Sequence, residues 1–145
     1  MQVSGATTGS EDMPTLRMSL QRDPQAPSLA RAAVAGFTEK SEIPSTELAT
    51  LTLLVSELVS NAVLHSDAPA ASGICLYARL LDKDAVRVEV IDHGSGFTAT
   101  PRDPEQPMGG YGLYLVDKQA TRWGVDRERE GVTRVWFEIA QPRRS

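Results

Sequence analysis

Ser56-Glu57-Leu58-Val59-Ser60-Asn61-Ala62-Val63-Leu64-His65 sets three polar groups, Glu57, Asn61 and His65, four residues apart in a segment that is otherwise apolar from Leu51 to Leu64. That spacing lines them up on one stripe of a helix. Pro44-Ser45 supplies a helix start, and Leu48, Leu51, Leu54, Val55, Leu58 and Ala62 recur at the interval of a helix lying on a core. A long helix from Pro44-Ser45 to about Leu64 is therefore predicted, with its polar stripe at the edge of the buried face. Such a stripe is either a solvated face or the wall of a ligand site. The first is the commoner case; the second gains because the segment around the stripe is very apolar and because a carboxylate and an amide are the hard oxygen donors that suit Mg²⁺. A carboxylate one turn before a metal-binding amide can also orient or deprotonate a nucleophile attacking a γ-phosphate.

Two glycine-bearing stretches follow this helix. Asp92-His93-Gly94-Ser95-Gly96-Phe97 comes directly after the apolar run Val86 to Ile91. Asp92 thus sits at a strand end beside the core, where a carboxylate needs a donor. The amino group of adenine is one such donor, and Gly94 and Gly96 permit a close approach. The alternative is a plain Asp–Gly turn leaving a strand. A zinc site on His93 is disfavoured, since His65 is the only other histidine and Cys75 the only cysteine. Gly109-Gly110-Tyr111-Gly112-Leu113 then opens an amphipathic helix continuing through Val116 and Ala120. Backbone N–H groups at such a start can cradle phosphates, and the alternative is a flexible loop. There is no Gly-Lys-Ser/Thr ending, and no parallel-sheet strand comes before it, so Walker and Rossmann readings fail.

The remaining elements follow from periodicity. Thr15 to Leu20 alternates as a half-buried strand. Asp23-Pro24 and Ala26-Pro27 break it, and residues 28–39 look helical, with Leu29, Ala32, Ala33 and Phe37 on one side. Ile74, Leu76, Ala78 and Leu80 alternate, as do Val86, Val88 and Val90, with Leu81 to Asp84 between them as the turn of an antiparallel hairpin. Residues 97–109 carry three prolines and read as a loop, a mobile lid whose only basic residue is Arg102. Two strand candidates close the chain, the second with Thr133, Val135, Phe137 and Ile139 facing one way. The fold class expected is α+β: a two-layer sandwich, its mainly antiparallel sheet covered on one face by helices.

The bulk composition is consistent with one domain. The chain has 145 residues, 41% hydrophobic and 23% charged. Residues 1–13 are expected to be a disordered tail, 14–141 the domain, and 142–145 a second tail. The net charge of −4 favours neither nucleic acid nor a membrane surface as partner. Arg143-Arg144 is the only basic run. A lone cysteine fits a reducing, cytoplasmic setting, and Cys75 reads as a small buried apolar residue. The N-terminus lacks the pattern of a signal peptide. No apolar stretch is read as reaching the roughly 20 residues that cross a bilayer.

Together the three stretches resemble the GHKL, or Bergerat-fold, ATP-binding superfamily. Glu57-x-x-x-Asn61 resembles its N box, Asp92-x-Gly94-x-Gly96 its G1 box and Gly110-x-Gly112-Leu113 its G2 box, over about residues 14–140. The wording Ser56 to His65, Gly112-Leu113-Tyr114-Leu115-Val116-Asp117, and Trp123-Gly124-Val125 with Gly131 to Glu138 is similar to the stand-alone anti-sigma factor serine/threonine kinases. The resemblance implies ATP with Mg²⁺ as cofactor. It implies Asn61 as the Mg²⁺ ligand, Asp92 on the adenine, and Gly94 and Gly96 shaping the adenine pocket. It places Gly110, Gly112 and Leu113 at the phosphates, Thr133 beside the nucleotide and Glu57 as base. Histidine kinases of the superfamily add an upstream dimerisation helix, for which the chain is read as having no room; a topoisomerase-type transducer is also not seen.

Three functions compete on these residues. The first is phosphorylation of a Ser or Thr on a small anti-anti-sigma antagonist protein, coupled to control of a sigma factor, with no direct nucleic-acid contact and with a homodimer as in other members of the family. A carboxylate at Glu57 favours it. The second is a nucleotide-gated binding module without phosphotransfer, which needs the same Asn61, Asp92 and glycines but no base. The third is a helper ATPase with no sigma-related role.

Overall fold

Alternating apolar residues in five segments make one face of a sheet, and two long apolar stripes make the helices that cover it. The computed structural model describes residues 14–65, 69, 72–93, 111–129 and 131–140, with the backbone alone for His65, Tyr111 to Leu113 and residues 128–129. The chain order is β1 (Thr15–Leu20), α1 (Ala26–Phe37), α2 (Ser45–His65), β2 (Ile74–Asp82), β3 (Ala85–Asp92), α3 (Tyr111–Gln119), β4 (Arg122–Arg129) and β5 (Val132–Ala140). The five strands form one sheet in the order β1-β2-β3-β5-β4, every pair antiparallel. The α+β sandwich expected from the sequence is the fold observed.

Register aligns the buried side chains in rows across the sheet. Leu16, Ala78, Val88, Phe137 and Trp123 make one row, and Met18, Leu76, Val90, Val135 and Val125 the next. Leu51, Leu54, Val55, Leu58, Val59 and Ala62 of α2 share their core with these rows. Each fully buried Leu, Val or Phe among them contributes about 1.5–3 kcal/mol by leaving water. Helix α2 packs on β3 and β5, α1 lies against α2, and α3 packs on α2 and β4. The β4–β5 hairpin turns through Gly131, whose φ of 81° would strain any residue with a Cβ.

Several expectations need correction. Helix α1 begins at Ala26, not 28, because a proline in the first turn lacks only an N–H that would have no helical partner. Its buried stripe is Ala26, Ala30 and Val34, while Leu29 is half exposed and Ala32 exposed. Small residues fill that stripe and let α1 approach α2 closely. The β2–β3 turn is shorter than Leu81 to Asp84: β2 runs to Asp82 with an irregularity after Leu80, and the Asp82 carboxylate accepts the Lys83 N–H at 2.8 Å. Cys75 is only half-buried, on the face away from the helices. Ser45–Leu64 does have the length and apolarity of a membrane-crossing helix, contrary to the sequence reading, and its Leu51, Leu54, Val55, Leu58, Val59 and Ala62 lie in the core. The tails 1–13 and 142–145, and the loop 97–110, lie outside the described residues.

Candidate functional site

The helix-covered face changes character in its last row. Leu20, Ile74, Asp92, Thr133 and Arg127 stand side by side across the five strands. Two apolar positions are followed by a carboxylate, a hydroxyl and a guanidinium. Asp92 and Thr133 are direct cross-strand partners, and both are nearly inaccessible, at 2% and 1% exposure. Alternation forces this burial: Asp92 shares the phase of Val86, Val88 and Val90, and Thr133 that of Val135 and Phe137.

The polar atoms of this row are unevenly satisfied. Asp92 Oδ1 lies 3.4 Å from Nη1 of Arg22, in the connection after β1, with both side chains buried. Asp92 Oδ2 is buried and has no hydrogen-bond partner among the described residues. The Thr133 hydroxyl lies 3.5 Å from Nη1 of Arg127. An unfilled acceptor in the interior costs roughly 1–3 kcal/mol, so native proteins retain one for a reason.

Helix α2 brings the second group of polar residues. Asn61 is 7% exposed, and its Nδ2 is buried without a partner among the described residues. Glu57, one turn earlier, is half-buried at the rim. Ser56, beside it, is also buried and was not singled out from the sequence. His65 ends the helix and His93 is exposed just past Asp92. Helix α3 starts at Tyr111, so Gly112 and Leu113 lie in its first turn, the position a phosphate would use. Trp123 Nε1 donates to Asp117 at 3.0 Å and ties the end of α3 to β4. Gly94, Gly96 and Gly110 lie outside the described residues.

The structure thus brings Asp92 and Thr133 together on adjacent strands, and places Glu57 and Asn61 on the helix that packs on those strands. Sequence reasoning missed Arg22 and Arg127. Neither stands in a local motif: Arg127 joins the row through strand pairing, and Arg22 reaches Asp92 from the turn after β1.

The opposite, helix-free face is built differently. Arg87 hydrogen-bonds Glu89 at 2.8 Å and Glu138 at 2.7 Å, and its guanidinium lies 4.0 Å from the centre of the Trp136 ring. Burial alone would lower its affinity for its proton, but the two carboxylates outweigh this and hold it above the ordinary arginine value. Arg134 reaches Glu89 and Asp126, and Arg122 reaches Glu138. A hollow of about 340 Å³ opens here between Arg17, Tyr77, Arg87 and Arg134. The sheet separates it from the polar row.

Known proteins resemble this chain in sequence and in fold. The family model described as a histidine kinase-like ATPase domain matches residues 20–139. The anti-sigma F factor of Anoxybacillus flavithermus is 32% identical over 81 residues, 56% of this chain and 55% of that protein. The anti-sigma F factor of Lysinibacillus sphaericus is 29% identical over 115 residues, 73% of this chain and 79% of that protein. The serine-protein kinase RsbW of Oceanobacillus iheyensis is 25% identical over 114 residues, 70% and 72% of the two chains. Among solved structures, the RsbU and RsbW domains of a Mycobacterium tuberculosis protein superpose with a TM-score of 0.69 at 24% identity, over 90% of this chain and 34% of that one. The histidine kinase domain of an Erythrobacter litoralis blue-light activated kinase gives 0.54 at 22%, over 79% and 59%. These superpositions establish a shared fold.

Proposed function

Because the chain belongs to the histidine kinase-like ATPase domain family, we propose that it is an ATP-binding regulator of the anti-sigma kinase type, which phosphorylates a serine or threonine of a small antagonist protein and so controls a sigma factor in the cytoplasm. Its relatives named anti-sigma F factor and serine-protein kinase support this reading. The observation that carries the nucleotide part is the unfilled Oδ2 of Asp92, buried beside Thr133 in the one polar row of an apolar sheet face. A buried acceptor of this kind suits the amino group of adenine.

Each residue then has a task. Asp92 accepts from the adenine amino group, with Thr133 beside the nucleotide. Gly94 and Gly96 shape the adenine pocket. Gly110, Gly112 and Leu113 lie at the phosphates, where the start of α3 favours negative charge. Glu57 takes the proton of the attacking hydroxyl as its oxygen bonds to the γ-phosphorus and ADP departs. A half-buried carboxylate at the rim of α2 is reachable from solvent and from an incoming chain.

The residues fit a divalent ion. Among the described residues no group of three or more His, Cys, Asp or Glu converges, and Mg²⁺ is commonly held by one or two protein ligands with phosphate and water filling its shell. Asn61 would be that ligand: half a turn about its last torsion exchanges Nδ2, now without a partner, for Oδ1. When bound, Mg²⁺ neutralises phosphate charge.

Transfer of labelled phosphate from ATP to a purified antagonist protein tests the reading. Glu57→Ala should keep nucleotide affinity and lose about 10²–10⁴-fold in transfer rate. Transfer at the wild-type rate would make Glu57 structural, and no transfer by the wild type would leave a nucleotide-gated binding module.

A further inference from the structure

The Asp92 carboxylate has two oxygens in unlike surroundings. Oδ1 faces the Arg22 guanidinium at 3.4 Å, and Oδ2 is buried with no partner among the described residues. The Arg22 side chain is 8% exposed and that of Asp92 3%, so water barely screens the pair. At 3.4 Å the contact is long for a hydrogen bond and acts mainly through charge.

The backbone turn that carries Arg22 is fixed by its own hydrogen bonds. The Asp23 N–H donates to the Gln21 carbonyl at 2.9 Å, and the Asp23 carboxylate accepts the Gln25 N–H at 2.9 Å. The Ala26 N–H, at the start of α1, donates to the Asp23 carbonyl at 3.1 Å. This turn leaves β1 next to Leu20, which shares a row with Asp92. The geometry therefore carries a cation from the β1–α1 turn to the carboxylate two strands away.

We infer that Arg22 is a positioning residue for base recognition: it holds Asp92 Oδ1 and offsets its buried charge, so that Oδ2 is presented to the site as a fixed acceptor. The inference rests on the proposed contact of Asp92 with adenine. An ionised carboxylate only accepts hydrogen bonds. A fixed acceptor rewards a base bearing an amino group there and rejects one bearing a carbonyl, because the two acceptors would then face each other unpaired. Arg22 acts on which base is bound, through Asp92. Without it the carboxylate can rotate, and its preference for the amino group falls.

The test is the ratio of affinities for ADP and inosine diphosphate, whose base has a carbonyl where adenine has its amino group, measured by titration calorimetry with Mg²⁺. Wild type should prefer ADP by roughly tenfold or more. Arg22→Ala should weaken ADP binding and lower that ratio at least about threefold, while Arg22→Lys, which keeps the charge but not the planar fork, should restore part of it. If Arg22→Ala does not fold, Arg22→Gln replaces it with the same expected loss, since it keeps a donor and drops the charge. An unchanged ratio in a folded Ala or Gln variant overturns the inference. Tighter ADP binding does so too, since it would make Arg22 a plug that the nucleotide must displace. Asp92→Ala separates the two layers. If it abolishes the preference and Arg22→Ala does not, only the role of Arg22 falls. If Asp92→Ala leaves ADP affinity and the ratio intact, the adenine contact itself is wrong.

Discussion

The two faces of one sheet treat charge in opposite ways. On the helix-free face, Glu89, Glu138 and Asp126 each meet an arginine, and the central Arg87 is bonded to two of them and stacked on Trp136. On the covered face, Asp92 keeps one oxygen without a partner and Asn61 keeps its Nδ2 so, among the described residues. The first face is more exposed, so unmatched charge there would cost less; the second is dry, so it costs more. Asp92 Oδ2 and Asn61 Nδ2 therefore lie where an unfilled group is most expensive. The ion pairs of the first face serve the fold, whereas the open valences at the dry row are what the proposed nucleotide would fill.

Substitutions can break or sharpen this contrast. The largest effect should come from the apolar rows. Phe137 is fully buried between Val88 and Trp123, and Phe137→Ala should lose about 3–5 kcal/mol in denaturant unfolding. Next is the charge network. Arg87→Ala strands Glu89 and Glu138, whose side chains are 20% and 14% exposed. It should lose roughly 2–3 kcal/mol, less than a fully buried pair because solvent still reaches it, with ADP affinity within twofold of wild type. A large change in affinity would show that the faces are coupled.

Asp92→Asn should do the reverse. It places an amide donor against the adenine amino donor, so ADP affinity should drop about tenfold, or about 1.4 kcal/mol. Unchanged affinity in calorimetry of the folded variant would remove the ligand role from the covered row. The smallest effect is Gly124→Ala. Its new Cβ would lie 2.8 Å from the Trp136 ring, which must tilt away. Because that ring is only half-buried, the loss should be about 1 kcal/mol in thermal unfolding, with Arg87 losing part of its stacking partner.

The strands were legible in the sequence because one face is buried. Alternation at Ile74 to Leu80, Val86 to Val90 and Thr133 to Ile139 records the burial directly. Helix α2 was legible through its leucines. Helix α1 was legible as a helix but not in its rotation, because nearly every position is small or apolar and the stripe of Ala26, Ala30 and Val34 has no stronger signal than its neighbours. Of the candidate site, Glu57, Asn61 and Asp92 could be named from local patterns, and Thr133 only from the family resemblance. The register that sets Thr133 opposite Asp92 could not, since their strands are far apart in the chain. Arg22 was invisible for the same reason: only the pairing of β1 with β2 brings its turn to the row.

That row has a consequence for how the molecule comes together in time. The β2–β3 and β4–β5 hairpins close through short turns, so their loop-closure entropy is small and they can form early. Joining β3 to β5 closes the chain from Asp92 to Thr133, and joining β1 to β2 closes it from Leu20 to Ile74. Such distant closures are slow. Asp92 needs both, one for Thr133 and one for Arg22. In refolding, helical signal should therefore recover before the capacity to hold ligand, and the last long-range closure sets the pace at which a newly made chain becomes active.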